Sequence, residues 1–403
     1  MEPYLLEWLN LLGRWAHLVV GIAWIGASFY FVWLDNHLQP PEMPEDVKKG
    51  VSGELWAVHG GGFYQAQKYK IAPEKLPDTL HWFKWEAYTT FITGAFLLAL
   101  IYWYQAEIYL IDASVMSLSK PVAVAIGVFT IAGGWIIYDQ LCKSKIGQKE
   151  NVMAVVLLVV LSFAAWALCS VFSGRGAYMH FGAMLGTIMV ANVYFIIMPG
   201  QRDLVAAKEQ GRVPDTSHGI RAKQRSVHNT YFTLPVLFVM ISNHYGMTHG
   251  HEYNWVILIV MSLIGALIRV HFVKAHFGKP SPVPLLVAVL LLIGLVFALA
   301  PTKPQSVQNS DGSSIKTATL TEVHTIIEAR CASCHHDSPS HPSFAAAPAG
   351  IKFNDANSVD AQAQVIHQQS VVTRAMPIGN LTGMTEEERL KVASWYATKA
   401  SAQ

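Results

Sequence analysis

The sequence predicts an all-α protein in two parts. A polytopic membrane bundle of eight transmembrane helices fills 1–300, and a small helical domain fills 319–403. Three observations predict this. The 403-residue chain is 52% hydrophobic and only 14% charged, with 12 tryptophans. Its apolar runs recur at the roughly 20-residue length that crosses a bilayer. After residue 300 those runs stop, and a single Cys-x-x-Cys-His motif follows at 331–335.

The spans are placed at 8–34, 86–104, 120–139, 152–172, 177–199, 228–247, 252–273 and 282–300. The first is no signal peptide, because Met1 to Asn10 carries Glu2 and Glu7 and no basic residue. The fourth and last are nearly featureless Val/Leu/Ala and suit a lipid-facing position. Alternate loops then segregate the charge. One set holds Lys48, Lys49, Lys68, Lys70, Lys75, Lys84, Lys143, Lys145, Lys149, Arg202, Lys208, Arg212, Arg221, Lys223, Arg225, Lys274 and Lys279. The other holds Lys120 and Arg175. By the positive-inside rule the first set is cytoplasmic and both termini lie outside. The expected location is a bacterial inner membrane, with the tail periplasmic. Nothing in the net charge of +2 asks for nucleic acid. Residues 301–318, rich in Pro, Ser, Gln and Asn, read as a linker.

Cys331-Ala332-Ser333-Cys334-His335 carries the clearest chemistry. Cys-x-x-Cys-His is the attachment motif of a c-type haem: both thiols add to the vinyl groups, and His335 ligates the iron. A zinc site would want a second ligand pair, and no cysteine follows. Before the motif, Leu320, Val323, Ile326 and Ile327 form one helical face; after it, Thr385 and Glu388 make a capping box. Met376, preceding Pro377 in a loop, is the candidate sixth ligand, and a thioether there raises the reduction potential. Met384, against the helix cap, is expected to pack instead. This order of helix, motif, Met-Pro loop and aromatic-bearing last helix resembles a small class I cytochrome c. Haem would supply core that some 85 residues struggle to build alone.

Polar groups inside a membrane are costly and start as functional hypotheses. His17 and His180 lie in facing spans and can ligate a b-type haem; the alternative is that each bonds a backbone carbonyl or lines a polar cavity. At the cytoplasmic side, His59-Gly60-Gly61-Gly62 lets backbone approach a ligand closely, though a plain turn explains it more simply. Trp82, Trp85 and Glu86 open the second span; Arg225, His228 and Asn229 open the sixth. Tryptophan faces can sandwich a planar ligand and arginine can fork onto an anion. The plain alternatives are an interfacial aromatic belt and a positive anchor. His244, His249 and His251 cluster near the outer face, where a solvated loop is expected.

Taken together these segments resemble the membrane-bound, cytochrome c-fused urate oxidases of bacteria. The likeness is carried by Gly53-Glu54-Leu55-Trp56 with His59 to Tyr64; Leu80-His81-Trp82-Phe83-Lys84-Trp85-Glu86-Ala87-Tyr88; Met179 to Arg202; and Arg225-Ser226-Val227-His228-Asn229 through Tyr245. The resemblance implies oxidation of urate to 5-hydroxyisourate, with electrons passed to haem c and then to a periplasmic acceptor such as a soluble cytochrome c or terminal oxidase. On residue type and topology, Glu86 or His228 is the candidate general base and Arg225 the urate anchor. His59 and Gly60 would form a pocket lid, with Trp85 and Asn229 at the substrate. A cytoplasmic pocket would be separated from an outer haem by ~30 Å of hydrocarbon. Either the pocket is deep, or a further redox centre bridges the gap. The rival class is a quinol-oxidising electron-transfer subunit without purine chemistry; a third is a structural anchor for the tail.

Overall fold

A computed structural model describes residues 1–276, 280–300 and 317–401. The main helices of the first 300 residues are α1 (Glu2–His37), α2 (Trp85–Leu97), α3 (Lys120–Lys143), α4 (Glu150–Cys169), α5 (Gly174–Asn192), α6 (Met198–Glu209), α7 (Thr216–Ser242), α8 (Asn254–His276) and α9 (Val283–Ala298). π-helical turns at Leu98–Trp103 and Val193–Ile197 extend α2 and join α5 to α6. Each expected span has a helix, but among the described residues six are long and apolar enough to cross a membrane: Glu2–His37, Trp85–Trp103, Lys120–Lys143, Glu150–Cys169, Gly174–Glu209 and Asn254–Ala275. The other two fall short for different reasons. α7 starts at Thr216, so a polar first half precedes its apolar part, whereas α9 is apolar throughout but only 16 residues long. The linker expected at 301–318 lies, but for its last two residues, outside the described residues.

α5 is the axis of the bundle, with most of its residues buried, His180 and Asn192 among them. It packs on α2, α3, α4 and α7; α7 packs on α8, and α8 touches α1, which returns to α2. Small residues bring these helices close, as expected where lipid gives helices little hydrophobic reason to associate. A Cβ at Gly182 would stand 2.6 Å from Val239 of α7, and one at Gly127 of α3 would stand 2.6 Å from the His180 ring.

One element departs from the all-α expectation. β1 (Val51–His59) and β2 (Gly62–Tyr69) form an antiparallel hairpin on the side that carries the basic loops. Gly60 and Gly61 are its two-residue turn, with φ of +57° and +79°, the doubly left-handed geometry that glycine adopts without strain. Gln39, just after α1, pairs with Glu54 and ties the hairpin down.

Residues 318–396 build a second core from Val323, Ile327, Phe353, Val359, Ile366, Met384, Val392 and Trp395. Its two main helices are α10 (Leu320–Arg330) and α11 (Glu386–Ser401). Capping boxes open both: Thr319 with Glu322, and Thr385 with Glu388. Arg330 joins them through Glu388 at 3.0 Å. Met384 is in this core, 3% exposed. The tail docks by residues 373–380. Gly379 lies against the carbonyl of Ile111, while Thr373 and Ala375 meet Gly246 of the one-turn helix Gly246–His249.

Candidate functional site

Three of the singled-out residues come together. Arg225, His228 and Asn229 occupy consecutive turns of α7 and meet Tyr138 and Asp139 of α3 and Asn192 at the end of α5. Arg225 is 3% exposed, and its Nη2 donates to Asp139 Oδ1 at 2.8 Å. Its guanidinium lies 4.9 Å from the centre of the Tyr138 ring. Lys143, one turn along α3, holds the other carboxylate oxygen at 2.5 Å. With one carboxylate between two cations, the cluster keeps a net positive charge that suits an anion.

Asn192 ties the cluster together. Its Nδ2 donates to Tyr138 Oη at 3.2 Å and to Asn229 Oδ1 at 2.8 Å, and its Oδ1 accepts from Arg225 Nη1 at 3.4 Å. Asn229 in turn donates to the Met189 carbonyl at 3.0 Å. The half-buried His228 ring is hydrogen-bonded at Nδ1 to the Tyr138 hydroxyl, 2.9 Å apart. The buried Cys142 thiol stands 3.9 Å from the same nitrogen. The network holds a protonatable ring, a phenol and two amides in fixed register where α3, α5 and α7 meet.

The remaining predicted residues lie elsewhere. His59 and Gly60 are at the exposed hairpin tip. Trp85 is 62% exposed and packs edge-on to Tyr88. Glu86 has His81 Nε2 3.9 Å from Oε1, while its Oε2 is buried without a hydrogen-bond partner among the described residues. The neighbouring Ala87 packs on Val190, Val193 and Met198, which sets Glu86 near the end of α5 but gives it no contact with Arg225. Tyr138, Asp139, Cys142 and Asn192 were not singled out from the sequence. The available signal was a carboxylate and an amide inside or at the end of apolar spans.

His17 and His180 are each satisfied within the bundle. His17 Nδ1 pairs with Thr93 Oγ1 at 2.9 Å. The fully buried His180 donates from Nδ1 to the Gly176 carbonyl at 2.8 Å and accepts at Nε2 from Trp103 Nε1 at 3.1 Å. With both its nitrogens engaged by protein groups, His180 has none to offer iron. This pair therefore does not fit a haem b.

The tail does fit its group. Cys331 and Cys334 are both free thiols, and His335 donates from Nδ1 to the Ile351 carbonyl at 3.0 Å, leaving Nε2 for a metal. Burial holds the His335 imidazole below its usual range, so it is neutral at pH 7, the ligating form. Burial likewise pushes the Cys331 thiol up to about 12. The Met376 loop is fixed from both sides: its N–H donates to Gln369 O at 3.0 Å, and its carbonyl accepts from Arg389 at 3.1 Å. Among the described residues no three His, Cys, Asp or Glu side chains gather as a metal cage; a His/Met pair needs none. A mixed-polarity cavity of about 420 Å³ lies where the tail meets the bundle, lined by Tyr109, Arg175 and His249 on one side and Arg374, Asn380 and Arg389 on the other. His249 is therefore buried rather than part of a solvated loop.

No curated protein and no solved structure matches the chain. The family model described as the urate oxidase N-terminal domain matches residues 3–300, the whole helical bundle with its hairpin and the Arg225 cluster. The chain belongs to the urate oxidase N-terminal family.

Proposed function

We propose that the chain is a membrane-bound urate oxidase that oxidises urate to 5-hydroxyisourate and passes the electrons to a haem c on its own tail. The observation that carries this is the buried polar network around His228, set within the segment that matches the family. The reaction adds water: urate and H2O give 5-hydroxyisourate, two protons and two electrons. A base must take protons as water attacks, and His228 would serve in the tautomer whose Nδ1–H donates to the Tyr138 hydroxyl, which leaves Nε2 to accept. Arg225, Lys143 and Asn229 set a positive, hydrogen-bonding field for the urate anion. Glu86, with an unpartnered oxygen, is the second candidate base. Trp85 with the His59–Gly60 hairpin would stand at the entrance.

Cys331 and Cys334 would hold haem c covalently, and His335 and Met376 would hold its iron. The group would supply one-electron chemistry toward a periplasmic acceptor. α7 and α9 would complete eight spans in a bacterial inner membrane, with the N-terminus and tail outside, as the loop charges ask.

The test is anaerobic addition of urate to the purified full chain while the haem spectrum is followed. Urate should reduce a c-type α-band, at a rate that falls in His228→Gln. Reduction by a quinol but not by urate would replace this reading with the respiratory-subunit one.

A further inference from the structure

Arg225, the cation that stands out in the sequence, is already neutralised by Asp139. Another arginine in the bundle is not. Arg269 lies on α8, about 22 Å along the axis from Asn254 and about 10 Å from the helix end. It is 8% exposed, and its Nε is buried with no hydrogen-bond partner. Among the described residues no carboxylate pairs with it; Asp139 pairs with Arg225 and Lys143 instead. One face of the guanidinium covers the Phe29 ring of α1, 4.1 Å from its centre. On the other side stands α7. Gly265, one turn earlier on α8, lets Leu234 and Pro235 approach, which brings Arg269 level with Tyr231. Tyr231 is one turn beyond His228 and on the adjoining flank of the same helix.

A guanidinium is always charged, and an isolated charge inside an apolar bundle is strongly disfavoured. Asp139 supplies the counter-charge for Arg225; among the described residues no side chain supplies one for Arg269. We infer that the counter-charge comes from outside the chain, and that Arg269, Phe29 and Tyr231 form a binding site for a flat or tetrahedral oxyanion with two adjacent acceptors. Phe29 stacking fixes the plane of the fork and turns its N–H edge toward the ligand. The urate anion and a phospholipid phosphate share this chemistry. In the first case Arg269 is the substrate anchor, a role that rests on the function proposed above. In the second it holds an anionic lipid of the inner leaflet.

The test uses the full chain in lipid-free detergent, with Arg269→Met and Arg269→Lys beside the wild type. Melting temperature is followed with added urate, and separately with added anionic phospholipid. Removing an unpaired buried charge should leave ligand-free Arg269→Met at least as stable as the wild type, so a folding defect does not confuse the result. The anion that binds Arg269 should raise the wild-type melting temperature, raise that of Arg269→Lys less, and leave Arg269→Met unmoved. A urate response, together with roughly tenfold or greater weakening of urate binding in Arg269→Met, assigns the substrate. A response to phospholipid alone assigns the lipid. Equal responses of wild type and Arg269→Met to both anions would overturn the site. Binding is read directly, so a chain that binds urate at Arg269 but never reduces its tail would refute the oxidase reading and leave this site standing.

Discussion

Removing Asp139 is the sharpest test of the cluster as described. Its partner Arg225 is 3% exposed and bonded at 2.8 Å, so Asp139→Ala strands a guanidinium between helices where water does not reach. Breaking a buried pair from one side costs about 3–5 kcal/mol. Lys143 reaches the same carboxylate from a side chain that is 53% exposed, so Lys143→Ala should cost less than about 1 kcal/mol. Replacing both buried partners, as Asp139→Leu with Arg225→Leu, removes the stranded charge and should recover most of the loss. Reversible unfolding of the four proteins in mixed micelles, read by tryptophan fluorescence, measures all three differences. If Asp139→Ala fell within about 1 kcal/mol of the wild type, or the double variant were no better than the single, then Arg225 is solvated and the network is not a buried one.

Mass spectrometry of tail peptides from protein matured in its native host should find a porphyrin adduct on Cys331 and Cys334; an unmodified peptide removes the electron route. Met376→Ala should leave that adduct in place and lower the reduction potential of the tail, measured by redox titration, because a thioether ligand raises it; an unchanged potential excludes Met376 as ligand. Asp355 caps the helix Ala356–Ala361, and its bond from the Ser358 N–H holds its carboxyl below the usual range. Its contribution is complete above the unfolded carboxylate range and is lost as pH falls through the depressed folded value. Asp355→Ala should therefore melt earlier than the wild type at pH 7 and together with it in strong acid, as followed by circular dichroism; an equal difference at both pH values refutes the capping role. Finally, a small artificial oxidant that enters the bundle should support urate turnover in Cys331→Ala/Cys334→Ala; complete loss of turnover would place the chemistry at the tail itself.

The apolar runs were legible because period and length alone specify a span. Lys120–Lys143 and Asn254–His276 fall within a few residues of the segments expected from hydropathy. The polar stretch from 198 to 224 was not legible as structure. It reads as a basic loop, yet it holds α6 and the first turns of α7, because Arg, Lys, Gln and Ala favour helix without leaving an apolar stripe. The hairpin was legible in principle, from two adjacent glycines between runs containing Val, Trp, Phe and Tyr, but those same glycines also suit a ligand loop. Arg225, His228 and Asn229 were visible as polar residues at the mouth of an apolar span. Asp139, Asn192 and Arg269 were not, since which helix each one faces is a tertiary fact.

The position of the network sets a demand on the rest of the molecule. His228 lies about 21 Å along α7 from Ser242, and the Met376 loop docks just beyond that end, at Gly246–His249. In the proposed reaction, protons released at His228 would have a short way to the side carrying the basic loops, while electrons would travel the long way to the tail. No haem on His17 and His180 shortens that route, because His180 spends both nitrogens on Gly176 and Trp103. The part of the route nearest the tail is aromatic: Trp103 bonded to His180, then Tyr102 edge-on to His180 at 6.2 Å and to Tyr109 at 6.3 Å, with Tyr109 lining the cavity at the tail. A bundle built only to anchor a cytochrome has no use for a protonatable cluster at one end and a packed aromatic column reaching its tail at the other. The proposed oxidase, which would separate its protons from its electrons, needs both.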